Sequence, residues 1–212
     1  MTESKSFIDP LFSKPIYGKT LNIDIKKIVS MLKEYDFLTA GLKTDTNASS
    51  QSSSLYILDE ERFKFLKDEL MEEFYLFANE IMHYSNKFEI TTSWITKTMK
   101  NESAGFHNHN NCMLSGILYL QTDENTGNIV FQDSATKRYK LELDEYNIFN
   151  SEMWKYTPHD GLLLLFPSEM HHKIEENKSD IERYSLAFNL VPTGLIGDVH
   201  FDSHMKVKLE KG

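Results

Sequence analysis

The run Gly161-Leu162-Leu163-Leu164-Leu165-Phe166-Pro167-Ser168 limits what this chain can fold into more than any other stretch. Consecutive apolar residues with no polar face read as a strand buried on both sides, closed by a proline turn. Such a strand needs a layer on each side, and the sequence around it supplies more strands. Glu89 to Met99, rich in Thr, Ile and Trp, is one. Cys112 to Leu120, Asn128 to Asp133, Tyr139 to Leu143, Ile148 to Tyr156, His172 to Glu175 and Arg183 to Val191 are the others. Turn formers separate them at Asp123-Glu124-Asn125-Thr126-Gly127, Pro158-His159-Asp160-Gly161 and Asn177-Lys178-Ser179-Asp180. Short strands at this spacing, preceded by helices, predict a mostly β sandwich or barrel with helices packed on its outside.

The first third reads differently. Phe7 to Thr20, punctuated by Pro10, Pro15 and Gly18, is an extended lead-in that could form an edge strand. Ile25, Ile28, Val29, Leu32 and Tyr35 then recur at helical spacing, with Asn22 or Asp24 able to cap the first turn and Leu42 ending the pattern. Lys43 to Ser54 is polar and Ser-rich, which predicts a solvated surface loop rather than a lid. A second helix is expected from Asp59, its carboxylate as N-cap, with Phe63, Leu66, Leu70, Phe74, Phe77 and Ile81 on one apolar face packed on a sheet. Asp68, Glu69, Glu72 and Glu73 read as its solvated face. The chain of 212 residues is thus expected to be a single domain: a helical support over 1–88, a β core over 89–192 and a polar tail over 193–212 that could add an edge strand.

Charge narrows the function. With 23 basic and 32 acidic residues the formal net charge is −9, and no basic stripe offsets it, which argues against a nucleic-acid-binding role. A single cysteine, Cys112, excludes an internal disulfide and fits a reducing, cytoplasmic compartment. No apolar run approaches the roughly 20 residues of a membrane-spanning helix, and Met1-Thr2-Glu3-Ser4-Lys5 lacks the apolar core of a secretion signal.

Chemistry concentrates in three places. Phe106-His107-Asn108-His109-Asn110-Asn111 sets two imidazoles two residues apart, and on a strand that spacing puts both on one face. Neutral imidazole ligates iron, zinc, copper and nickel, so His107 and His109 form a two-point grip that needs a third ligand. His172, delivered just after the buried strand and its proline turn, is the candidate. In Arg183-Tyr184-Ser185-Leu186-Ala187-Phe188, Arg183 and Ser185 share a face. An inward guanidinium must be paired, and a ligand carboxylate held by its fork and supported by the Ser185 hydroxyl is a suitable partner.

These segments together resemble a family. The succession H-x-H, Ser115-Gly116-Ile117-Leu118-Tyr119-Leu120, Leu165-Phe166-Pro167-Ser168 with His172 four residues on, then R-x-S followed by Phe188-Asn189, is similar to the 2-oxoglutarate- and iron(II)-dependent oxygenases related to prolyl hydroxylases. The likeness spans about residues 90–192. It implies a double-stranded β-helix, or jelly roll, with iron(II) in its mouth. It also implies an activity: O2-dependent hydroxylation of a substrate C–H bond, a peptidyl proline among the candidates, coupled to decarboxylation of 2-oxoglutarate to succinate. Carried over residue by residue, His107 and His172 become iron ligands, and His109 takes the position usually held by Asp. Arg183 and Ser185 take the distal carboxylate of 2-oxoglutarate, and Tyr119 is a further cosubstrate contact. His171 is expected to face outward, since adjacent strand residues point to opposite faces. A third imidazole in place of a carboxylate leaves the charge of the metal site higher.

Other readings fit parts of the pattern. A cupin-type metal enzyme shares the jelly roll and the H-x-H, yet Met113 stands where its glutamate would be. A non-enzymatic jelly-roll binding or virion-surface module needs no metal and leaves Arg183 without an anionic ligand. Cys112 is expected to serve packing, and Trp94 to fill the core in preference to lining the substrate pocket.

Overall fold

The structure, a computed structural model, describes residues 6–39, 47–133, 139, 141–198, 200 and 202–210. In chain order, the first third holds β1 (Tyr17–Thr20), α1 (Ile25–Leu32), β2 (Phe37–Thr39), β3 (Ser50–Ser52) and α2 (Lys64–Tyr75). The remainder holds β4 (Lys87–Thr98), β5 (Ala104–His107), β6 (Leu114–Gln121), β7 (Ile129–Gln132) and β8 (Met153–Tyr156). It ends with β9 (Leu162–Pro167), β10 (His171–Ile174), β11 (Arg183–Ile196) and β12 (Met205–Val207).

Two antiparallel sheets result. The larger runs β1-β9-β6-β11-β4-β3-β2, with β12 paired to β11, and the smaller runs β5-β10-β7-β8. From β4 to β11 the chain steps repeatedly between the sheets, which is the double-stranded β-helix expected from the sequence. The apolar run at β9 shows why two layers are required. Leu162, Leu164 and Phe166 meet Ile129, Phe131 and Ile174 between the sheets. Leu163 and Leu165 point the other way, onto Leu66, Leu70 and Phe74 of α2 and Ile28 and Leu32 of α1. Each of these side chains contributes about 1.5–3 kcal/mol on burial, so neither face of β9 can be left uncovered. The helices thus pack on the outside of the larger sheet. Among the described residues, no helix is long and apolar enough to cross a membrane.

Several expectations are corrected in the first third. Asp24, rather than Asn22, caps α1 by accepting from the Lys27 backbone N–H at 3.0 Å, and the helix closes at Leu32. Leu42 and Lys43 to Thr46 lie outside the described residues. The rest of the Ser-rich stretch is not a solvated loop. Ser50–Ser52 forms β3 between β2 and β4, and Ser49 and Ser52 are buried. Hydroxyls allow this burial because they pair with the sheet: Ser52 accepts from Ile95 N–H at 3.0 Å and donates to the Ser54 carbonyl at 2.7 Å.

Asp59 does not cap the second helix. Short 3₁₀ turns occupy Ile57–Asp59 and Glu61–Phe63, and the Asp59 carboxylate instead meets Lys67 at 2.6 Å. After α2, Leu76–Ile81 widens into a π-helical turn. The wider turn rotates the apolar face, so Phe77 and Ala78 are buried while Ile81 is half exposed. Glu73, read as solvated, is buried and ties β1 to α2 through Tyr17 (2.7 Å) and Lys19.

In the β region, β5 was not foreseen, and Leu141 to Leu143 form no strand. Only Met153–Tyr156 of the expected Ile148 to Tyr156 strand pairs. Upstream, the Asn147 side chain accepts from Phe149 N–H and the Asn150 side chain from Asn147 N–H, both at 2.8 Å. These local bonds turn the chain in place of a ladder. Cys112 is half-buried ahead of β6 rather than packed in the core.

Candidate active site

Between the mouths of the two sheets lies a cavity of about 610 Å3. His107, His109 and His172 sit together on its wall, with ligating nitrogens all within 4.8 Å of one another. His107 ends β5 and pairs across the ladder with His172 of β10. His109 follows in the connection to β6, which the proline turn after β9 holds in place. The His109 N–H donates to the Ser168 carbonyl at 3.0 Å, and Ser168 N–H donates to the Met113 carbonyl at 3.0 Å. The two sequence motifs that looked separate, H-x-H and L-F-P-S, are therefore one hydrogen-bonded unit. His171 points away from His172, as strand alternation requires.

Each ring is oriented by an acceptor on its Nδ1. His107 Nδ1–H donates to the Gly105 carbonyl and His172 Nδ1–H to the Met170 carbonyl, both at 2.9 Å. His109 Nδ1–H donates to Asn189 Oδ1 at 2.7 Å, with Ser115 Oγ at 3.0 Å. Carbonyl oxygens only accept, so in the neutral ring the proton resides on Nδ1 and Nε2 keeps its lone pair. Burial, followed by the neighbouring His107 ring, pushes His172 down to about 3. Burial likewise lowers His109, against the bond from Asn189. Both rings are thus neutral at pH 7 and able to ligate. The ring nitrogens of His107, His109 and His172 are the groups that would hold a single metal ion. No carboxylate joins the cluster among the described residues. Met113, at the cupin glutamate position, is exposed and offers none.

Deeper in the cavity is Arg183, 1% exposed. Its Nη1 donates to the Thr126 carbonyl at 2.7 Å and its Nη2 to Thr98 Oγ1 at 2.8 Å, while Nε has no partner. Burial lowers its pKa, and it forms no ion pair among the described residues. Ser185, one pleat along β11, lines the same cavity. Tyr119, opposite Ser185 in the ladder, is fully buried between the sheets, and its hydroxyl is likewise unpartnered. A buried guanidinium and a buried hydroxyl with spare donors fit an anionic oxygen ligand.

Some cavity residues had no role in the sequence reading. Trp94, expected in the core, lines the cavity with its ring 5.6 Å from that of His109. Thr98, Asn189, Ser115 and Ser168 support the site, and Gln51 of β3 forms part of its wall. The signal for most was alternation. Trp94, Thr96 and Thr98 share one face of β4, and Arg183, Ser185, Ala187 and Asn189 share one face of β11. Gly116, facing Phe188, was necessary for another reason: a Cβ there would lie 2.2 Å from the ring.

Comparisons with known proteins agree with this geometry. Residues 92–189 match the family described as "Putative 2OG-Fe(II) oxygenase". No curated protein matches the sequence. Among solved structures, HygX from Streptomyces hygroscopicus, with nickel, 2-oxoglutarate and hygromycin B bound, has a TM-score of 0.61 at 11% identity, over 85% of this chain and 84% of that one. A prolyl-4-hydroxylase from Pseudomonas putida has a TM-score of 0.58 at 13% identity, over 87% and 96%. An oxidoreductase of the 2OG-Fe(II) oxygenase family from Burkholderia pseudomallei has a TM-score of 0.57 at 10% identity, over 79% and 77%. The matched span carries the histidine cluster and the buried arginine, and over that span the chain is similar to the 2-oxoglutarate- and iron(II)-dependent oxygenases.

Proposed function

We propose that this chain is a dioxygenase that hydroxylates a substrate C–H bond while converting 2-oxoglutarate to succinate and CO2. His107, His109 and His172 would hold iron(II), and Arg183 with Ser185 would bind the distal carboxylate of 2-oxoglutarate. One observation carries the reading: three Nδ1-anchored imidazoles converge at the mouth of a cavity whose interior holds a guanidinium that forms no ion pair among the described residues. When bound, iron(II) supplies the redox chemistry that joins O2 to the 2-oxo acid and to the substrate.

The protein's own groups bind and orient. Arg183 is held by Thr98 and Thr126, so its fork is preorganised and loses little freedom when it donates to a carboxylate. Tyr119, its hydroxyl kept protonated by burial, has a spare donor beside that carboxylate site. Trp94 and Phe166 line the cavity with apolar surface that excludes water. A peptidyl proline is the substrate we place first, because the Pseudomonas putida neighbour is a prolyl-4-hydroxylase. A small molecule is second, since HygX binds hygromycin B.

Anaerobic addition of iron(II) and 2-oxoglutarate is expected to give a weak visible charge-transfer band, and admission of air an iron-dependent release of succinate. Absence of both would overturn the reading. Proline-containing peptides should accelerate succinate release; indifference to all of them would exclude the peptidyl substrate alone.

A further inference from the structure

His109 stands where a carboxylate would lower the charge of the metal site, and its sequence position does not say whether it ligates. Its surroundings do. Asn189 Oδ1 accepts the His109 Nδ1 proton at 2.7 Å and a second hydrogen bond, from Ser115 Oγ, at 2.9 Å. Ser115 in turn meets Ser168 Oγ at 2.8 Å, and since the Ser115 proton is already directed at Asn189, Ser168 is the donor. The Asn189 amide presents Oδ1 to His109 and Ser115, while its Nδ2 donates to Thr92 Oγ1 at 3.1 Å on the other side. Ser115 and Ser168 are buried, so water does not replace these partners.

We propose that Asn189, braced by Ser115, Ser168 and Thr92, is a positioning residue that makes His109 a third neutral metal ligand. It rests on the assignment of His107 and His172 as ligands. A free imidazole divides its proton between two nitrogens and turns about its side-chain bonds. The Asn189 oxygen removes both freedoms, leaving the Nε2 lone pair on the side of His107 and His172. Three neutral ligands also leave the full double charge of the ion within the cavity. The dianionic cosubstrate then becomes the group that neutralises it, so metal and 2-oxoglutarate strengthen each other's binding.

Cobalt(II) serves as the probe, because its unpaired electrons shift the ring protons of bound histidines far from the rest of the NMR spectrum. Loaded wild-type protein is expected to show three exchangeable shifted resonances, one per Nδ1–H, all lost in deuterium oxide. His109→Ala should delete one and leave two. Asn189→Ala should broaden or abolish that same resonance and weaken cobalt binding by about 10–100-fold. Asn189→Asp, which keeps the acceptor, should restore it. Ser115→Ala, a milder change in the same relay, should speed solvent exchange of that resonance alone. Three sharp resonances and wild-type affinity in Asn189→Ala would overturn the proposal, as would unchanged exchange in Ser115→Ala. Only two resonances in the wild type would overturn it while leaving His107 and His172 as ligands. Failure of wild-type protein to bind cobalt, or undiminished binding in His172→Ala, would instead remove the underlying site assignment.

Discussion

Replacing Arg183 by Met should separate stability from cosubstrate binding. In the protein without cosubstrate, Arg183 is a cation 1% exposed, with two hydrogen bonds, a bare Nε and no ion pair among the described residues. Exchanging a buried ion for an apolar group of similar volume typically gains about 1–4 kcal/mol. Against that, the Thr126 carbonyl loses its donor, at about 1–3 kcal/mol. Thr98 keeps its bond to Ser49 at 3.0 Å. The net change in unfolding free energy should therefore lie between a loss of about 2 and a gain of about 3 kcal/mol, where breaking a buried ion pair would lose about 3–5. Binding should behave otherwise. Each charge-assisted bond to the distal carboxylate contributes about 1.5–3 kcal/mol, so losing a bidentate pair should raise the 2-oxoglutarate Kd by a factor on the order of 10²–10⁴. The assay is thermal unfolding of nickel-loaded protein with and without 2-oxoglutarate. At 100 times its Kd, the ligand stabilises wild-type protein by about 2.7 kcal/mol, and each kcal/mol moves Tm by about 2–4 °C at this chain length. Arg183→Met should unfold near the wild-type temperature without 2-oxoglutarate and gain nothing from it. A preserved ligand-induced shift would refute the carboxylate assignment. A fall of more than about 4 kcal/mol without ligand would show that Arg183 has a structural counter-charge.

Three further outcomes are expected. Burial opposes the charge of Glu73, but Lys19 and Tyr17 hold its pKa below the ordinary value. The unfolded chain therefore takes up this proton first as pH falls, so the pair stabilises the fold above about pH 4.3 and is lost as pH drops through the folded value. Glu73→Gln should cost about 1–2 kcal/mol at pH 7, and the difference should close towards pH 3 in urea titrations; a constant difference would contradict the ion-pair account. Gly116→Ala forces a methyl into the Phe188 ring and should lower stability by about 1–3 kcal/mol, whereas an unchanged urea midpoint would mean the ring moves freely. Copper(II) should quench the fluorescence of Trp94, whose ring lies 5.6 Å from that of His109, and Trp94→Phe should abolish most of the effect. Equal quenching in that variant would place the ion elsewhere.

By itself the sequence determined a mostly β core with helices packed on its outside, because β9 has no polar face and the helices repeat at their own period. The jelly roll followed from the resemblance to a family, carried by the short motifs that hold His107, His172, Arg183 and Ser185. Where partners distant in sequence decide burial, local pattern failed. Glu73 belongs on a solvated helix face until Tyr17 and Lys19 of β1 cover it. Ser49 and Ser52 read as loop until β4 and the neighbouring strands accept their hydroxyls. Trp94 reads as core until the gap between the sheets exposes its ring beside His109. The tertiary structure also supplies the hydrogen-bond partners of His109. Its spacing from His107 is compatible with a ligand or a bystander, and the groups that face its Nδ1, Ser115 and Asn189, the latter 80 residues along the chain, come from other strands. A side chain's type is written in the sequence, but the direction of its lone pair depends on what the fold places behind it.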